Sequence, residues 1–388
     1  MIDILKISIR ELKIIATKKS YYMILLVMPP ILFLLYTFIY NSQALHNIPI
    51  AVWDEDHTNL SRVLTNQYQS SPLVQISEKV DTKADVKKLM QENKIQGAIH
   101  IPKNFESDIK SSKGSTVTFY RNSSNLIYDG LLYKVFAEVT LTVNGGIVMK
   151  MLSMKGVNSH QAKTMANPVS VHTHSLYNPS YNYQNYLVPG LITVGLQMMI
   201  IMICVLLINS ELEDKTISEL LEMSRNSAFK IIAGKTLAHY LVGMINVVLI
   251  FGIFFTYFNI PYVHAFGKLF VLFSILILAC IGIGIMISII FSETLMASDL
   301  ALFYTSPAFV FSGFTFPKWA MPWYDQIYAN LMPYTPFLIG FFKVYQMDAS
   351  WIIIAPHLLH MFWFIAIPFS VAWAVLKIKL SKKKLVVE

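Results

Sequence analysis

The sequence predicts an α-helical polytopic membrane protein, with six transmembrane helices and an inserted extracytoplasmic α/β domain. Three observations carry this reading. Hydrophobic residues make up 55% of the 388 residues, charged residues only 14%, and the mean hydropathy is +0.51. A soluble globular domain carries roughly a quarter charged residues. The apolar residues also gather into six runs, at 24–40, 187–208, 237–262, 269–292, 300–316 and 351–376. Each approaches the ~20 residues that cross about 30 Å of hydrocarbon at 1.5 Å per residue. Finally, a long charged stretch without a spanning run separates the first apolar run from the second.

Residues 1–20 read as an amphipathic interfacial helix. Leu5, Ile9, Leu12 and Ile15 fall on one side of it, and Lys6, Arg10 and Lys13 on another. The first transmembrane helix occupies 21–40. Lys18 and Lys19 before it imitate the basic start of a signal peptide. The preceding helix, the length of the run and the lack of a small-x-small cleavage site make it an uncleaved anchor instead. Pro29 and Pro30 inside it predict a kink.

Residues 41–182 hold 14 Lys/Arg and 11 Asp/Glu, which suits a water-exposed domain of ordinary size. The runs 48–53, 97–101 and 115–120 read as strands. Residues up to Leu64 form a helix capped by the DEDHTN loop, and 84–92 form another. Residues 126–154 read as a long helix interrupted near Gly145 and Gly146. A small α/β domain follows from this mixture.

Residues 183–376 form a five-helix transmembrane domain, and 377–388 a basic tail. Lys6, Arg10, Lys13, Lys18 and Lys19 near one end, and Lys377, Lys379, Lys382, Lys383 and Lys384 at the other, place both termini in the cytosol. The even number of spans agrees. The net charge of +8 therefore sits beside anionic membrane lipids, and nucleic acid is excluded because no basic patch stands apart from the spans. The segment 317–345 carries Pro317, Pro322, Pro333 and Pro336 among Trp319, Trp323, Tyr324, Tyr328 and Tyr334. Prolines break a helix and aromatics at this density mark an interface, so it reads as an outer re-entrant segment.

Several features invite a sharper chemistry. Cys204 and Cys280 lie inside spans and act as small hydrophobes, with no disulfide framework or zinc site. His172 and His174 share a strand face near His160, but a metal site needs further ligands. Met149, Met151, Met154 and Met165 suit helix packing better than copper. Glu293 and Asp299 fall in the turn before the fifth span, as structural groups or further partner contacts. Gly282 and Gly284 with Ala279 and Ser288 give the fourth span a small-residue face, which serves dimerisation and bundle packing equally. Gly234-Lys235-Thr236 looks like the end of a phosphate-binding loop, yet position 229 is Phe and no strand precedes it.

The stretch 209–235 is the most informative. Crossing count puts it in the cytosol, where Ile217, Leu220 and Leu221 form a short apolar stripe of a helix. Glu211, Lys215, Ser218 and Glu222 occupy the other face. Five acidic residues (Glu211, Glu213, Asp214, Glu219, Glu222) sit where a tight turn would have sufficed.

The segment SELEDKTISELLEMSRNSAFKIIAGK resembles the loop of ABC-2-type permeases, the membrane subunits of ABC exporters. The matching positions are Glu211, Thr216, Glu219, Leu221, Ser224, Gly234 and Lys235; Arg225 stands where many relatives have proline. LYNPSYNYQNYLVPGLI is similar to the start of the family's second span. SGFTFPKWAMPWYDQIYANLMPYTPF is similar to its outer segment, which singles out Pro317, Met321, Pro322, Pro333 and Thr335. IPIAVWDEDHTNLSR through GAIHIPKNF resembles the subfamily with a large periplasmic insertion between the first and second spans.

The resemblance implies a permease subunit that exports a drug- or lipid-like substrate across a bacterial inner membrane. It implies a dimer of permeases, homodimeric or with a close paralogue, and a cytosolic ABC subunit that binds ATP and Mg; a periplasmic adaptor protein is a further partner of this kind. Glu213 and Leu220 join the matched residues as the implied ATPase-coupling surface. The chain itself then holds no cofactor, metal or catalytic site. A non-transporting receptor or scaffold, whose outer domain binds an envelope partner, is the alternative. It leaves the acidic helix and the aromatic segment without a role. An intramembrane enzyme is disfavoured because no nucleophile–base pair, carboxylate pair or ligand cluster falls in the spans.

Overall fold

The computed structural model describes residues 1–40, 45–168, 174, 176–179, 182–260 and 265–382. His172, Lys383 and Lys384, which entered the readings above, lie outside them. The chain divides into two compact units, one of 1–43 with 175–388 and one of 44–174.

The first unit opens with α1 (Ile2–Thr17) and α2 (Lys19–Ile39). Helix α1 packs on its unit mainly through another face than its predicted apolar side. Ile7, Ser8, Glu11 and Ile15 are inside, while Leu5 and Ile9 stay exposed. In α2 the hydrogen-bond ladder changes just ahead of the prolines. Met23–Val27 is a wide π-turn, and Pro29 and Pro30 then occupy the first turn of a fresh α-helical stretch, where missing N–H groups cost least.

The second unit is built on a four-stranded sheet. In chain order it contains β1 (Ile48–Asp54), α3 (Asn59–Gln69), β2 (Val74–Lys79), α4 (Lys83–Gln91), β3 (Gly97–Ile101), α5 (Phe105–Lys110), β4 (Thr118–Arg121), α6 (Leu126–Met154) and α7 (Ser159–Ala166). The strand order is β2-β1-β3-β4, with β1 parallel to β2 and β3, and β4 antiparallel to β3. Parallel neighbours need helical crossovers, and α3 and α4 provide them. Central β1 is buried on both faces. Ile48 and Ile50 meet Leu64, Tyr68, Leu132 and Phe136 on one side, while Ala51 meets Val80, Val86 and Ala98 on the other.

Two sequence expectations change here. β2 escaped notice because it is an edge strand with a mostly exposed, charged pattern (VQISEK). Helix α6 runs unbroken through Gly145 and Gly146. It is also long and apolar enough to cross a membrane, which makes seven such helices rather than six among the described residues. Its residues Leu132, Val135, Phe136 and Val139 pack on the sheet, with Phe119 and Phe136 stacked at 4.7 Å.

The remaining helices belong to the first unit: α8 (Tyr183–Cys204), α9 (Asn209–Glu213), α10 (Ile217–Ser224), α11 (Ala228–Tyr257), α12 (Phe266–Ile290), α13 (Thr294–Phe311), α14 (Trp323–Asn330), α15 (Tyr334–Tyr345) and α16 (Trp351–Ser381). Apolar α12 is the hub, packed against α8, α11, α15 and α16. Its small residues serve this internal packing. A Cβ on Gly284 would lie 2.4 Å from Cys204 Cβ, so only glycine lets α12 close on the end of α8. One turn on, Ser288 Oγ accepts the Ile208 N–H at 2.9 Å, satisfying a donor freed where α8 ends. Aromatic α15 is buried against α11 and α12 through Phe337, Phe341 and Tyr345.

Both ends of the unit are stitched by polar bonds. At one end Lys379 donates to Ser292 Oγ at 3.2 Å, and Thr294 bonds Glu213. That end therefore gathers the turn after α12, α9 and the close of α16. At the other end Tyr186 and Tyr345 donate to the carbonyls of Phe314 and Asn185 at 2.9 and 3.0 Å.

Candidate coupling site

The stretch 209–235 is not one helix. It breaks at Lys215, whose φ of 58° lies in the left-handed region, and again at Arg225 and Asn226 with φ of 56° and 57°. Two short helices, α9 and α10, result, and α11 has begun by Ala228. Arg225 takes the left-handed conformation that closes α10, a geometry closed to proline.

The break turns Glu211 inward, so its predicted place on the outer face gives way to a buried cluster. Arg10 grips the Glu211 carboxylate with both guanidinium ends, at 2.7 and 2.9 Å. Arg10 Nε also donates to Glu219 at 3.2 Å. Lys235 Nζ donates to Glu11 at 2.6 Å and to Glu211 at 2.8 Å. Thr216 Oγ1 donates to the second Glu211 oxygen at 2.5 Å. The Lys235, Glu11 and Glu211 side chains are each 2% exposed. Two cations thus meet two buried carboxylates, and Glu219 closes the rim from solvent. The Glu211 bond pushes the Arg10 pKa further up, so the guanidinium stays charged despite partial burial.

Around this cluster α1 is fastened along its length. Lys18 pairs with Asp214, and Lys230 with Asp3 at 2.7 Å. The Lys230 bond holds the Asp3 carboxyl below its ordinary range. Gly234 supplies the space: a Cβ there would sit 2.6 Å from Ile7 Cγ2 and 3.1 Å from the Ile4 carbonyl. The Gly-Lys pair of the sequence motif therefore has one physical sense, a bare backbone where α1 crosses and a cation one residue on. It lies inside α11 rather than at its start.

The predicted coupling residues thus fall into two groups. Glu211, Thr216, Leu220, Leu221, Ser224, Gly234 and Lys235 point inward or lie against neighbours. Glu213 and Glu219 face solvent with Ser218 and Glu222, joined by Phe229, which sequence reasoning did not single out. Glu11 and the inner role of Arg10 were missed. A signal existed, because Glu11 lies on the i, i+4 row with Ile7 and Ile15, a carboxylate on an apolar stripe. In the outer segment, Met321, Pro333 and Thr335 are buried, and Pro317 and Pro322 are exposed.

These features define a multi-pass helical membrane protein with an inserted α/β unit and a charged, internally tied helix pair at one end of its bundle, the class to which membrane permeases belong. The family described as ABC-2 family transporter protein matches residues 19–374, and the chain belongs to that family. It is 22% identical over 319 residues to a probable multidrug ABC transporter permease, YbhS, of Escherichia coli (strain K12), covering 81% of each chain. It is 21% identical over 304 residues to the probable multidrug ABC transporter permease YbhR of the same strain, covering 78% of this chain and 79% of that one.

Proposed function

We propose that this chain is the permease subunit of an ATP-driven exporter that moves a drug- or lipid-like substrate out across a bacterial inner membrane. On this reading both termini are cytosolic, two permeases pair, and a separate cytosolic subunit binds ATP and Mg. The relatives named as probable multidrug permeases support the substrate class. The observation that carries the coupling is the buried cluster of Arg10, Glu11, Glu211 and Lys235. A partner pressing on α9 and α10 meets a rigid body, because α1, the helix pair and the start of α11 are joined by charge pairs inside it. Displacement is then passed to α2 and α11 together. Only contacts that differ between two states can shift their equilibrium, so the partner must engage the exposed groups Glu213, Ser218, Glu219 and Glu222 differently in each.

Glu222→Lys tests this reading cleanly. Glu222 is exposed and makes no ion pair among the described residues, whereas Glu219 also bonds Arg10. The expected result is loss of ATPase co-purification and of transport into vesicles, with unchanged melting of the permease. Full retention of both would sink the docking face.

A further inference from the structure

A cavity of about 310 Å³ opens within the α/β unit, between α3, α5 and the C-terminal part of α6. Its walls are Leu60, Val63, Ile109, Ile147, Met151 and Met154, and its polar groups are Asn59, Glu106, Lys110 and Lys150. We propose that this cavity binds a single-chain amphipathic anion, for which a medium-chain fatty acid is the simplest case.

Size and shape come first. The volume stands at the low end of the roughly 300–1,000 Å³ typical of ligand pockets, enough for one acyl chain but not for a two-chain lipid. Two methionine thioethers line it, and their flexible, polarisable chains accommodate apolar shapes without a fixed template. Met154 and Val63 are 73% and 55% exposed, so apolar surface is left facing water at the mouth. An apolar wall left open to water between polar rim groups suits an apolar occupant.

Charge decides the headgroup. Glu106 is not free to receive a cation: Lys110 donates to one oxygen at 2.5 Å, and the Leu60 N–H to the other at 3.2 Å. Those bonds hold its carboxyl down at about 2, so it remains ionised and cancels Lys110. Lys150 is exposed and makes no ion pair among the described residues. The rim therefore carries one uncompensated positive charge, which attracts an anionic head and repels a cationic one. Every one of these groups belongs to the α/β unit, so the site stands whether or not the bundle transports.

The test uses the full-length protein in phosphatidylcholine nanodiscs and a diazirine-bearing dodecanoic acid, with cross-linked peptides mapped by mass spectrometry. Saturable labelling is expected in peptides covering 59–63 and 147–154. Unlabelled dodecanoate should block it, and dodecyltrimethylammonium at the same concentration should not. Met151→Trp, which fills the cavity, should abolish the labelling. Lys150→Glu, a surface change that leaves the fold intact, should lower it roughly tenfold, as expected for loss of a charge-assisted contact. Labelling elsewhere in the chain, or labelling unchanged in Met151→Trp, would overturn the site. Equal block by the ammonium compound, or no effect of Lys150→Glu, would overturn the anionic class.

Discussion

A lysine side chain that is 2% exposed must find its counter-charge inside the protein, and Lys235 finds two. Glu211 shares its charge with Arg10, but Glu11 has only Lys235 as an ion-pair partner among the described residues. Removing one member of such a pair leaves an uncompensated buried charge and costs about 3–5 kcal/mol, whereas removing both costs far less. Lys235→Met is therefore expected to lower the melting temperature of the purified protein sharply. Adding Glu11→Gln should restore most of the loss, and a double variant no better than the single would disprove the pairing. The other carboxylate worth titrating is Glu106. With its pKa held at about 2 by Lys110, below the ordinary 4.5, its contribution to the fold is complete above about 4.5. That contribution is lost as the pH falls from 4.5 toward 2. Glu106→Gln should flatten that part of the stability–pH curve and leave the neutral region less stable. A wild-type and variant profile of the same shape would remove Glu106 from the account.

Helix α1 is held by residues that a local reading could not join. Glu11 and Lys235 are 224 positions apart, and no periodicity in either segment announces the other. The spans and the inserted unit were legible because a run of apolar residues and a run of charged ones are local patterns. The breaks at Lys215 and Arg225 were not, since both residues are ordinary helix formers held in the left-handed region by their surroundings. Edge strand β2 was hidden by its charged, exposed pattern. At the crossing of α1 and α11, geometry makes a demand that chemistry alone does not. Gly234→Val would drive its branched side chain into Ile7 and the Ile4 carbonyl, so α1 must move away. The expected outcome is a folded bundle with little transport, and with faster proteolysis of residues 1–17. Wild-type transport in that variant would show that the tie between α1 and α11 carries no force.

At the scale of the whole molecule the quantity to determine is how many of the seven apolar helices among the described residues cross the membrane. Helix α6 meets the length and hydropathy condition but differs in its neighbours. Phe136 and Leu132 reach the sheet core, and Tyr68 hydrogen-bonds Thr140 at 2.6 Å. A sheet with exposed edge β2 cannot stand in hydrocarbon, where unpaired backbone groups each cost several kcal/mol. A helix packed on that sheet is therefore expected not to cross beside it. Removing α6 leaves six candidates, an even number, in agreement with the bonds that bring α1, α9 and the end of α16 to one end of the bundle. Single cysteines test this in a variant with Cys204 and Cys280 replaced. Ser70→Cys precedes α6 and Thr164→Cys follows it, so both should react with an impermeant maleimide from the outer side of intact cells. Lys215→Cys and Ser381→Cys should react only after the membrane is opened. Opposite accessibility at positions 70 and 164 would make α6 a span and put the two termini on different sides.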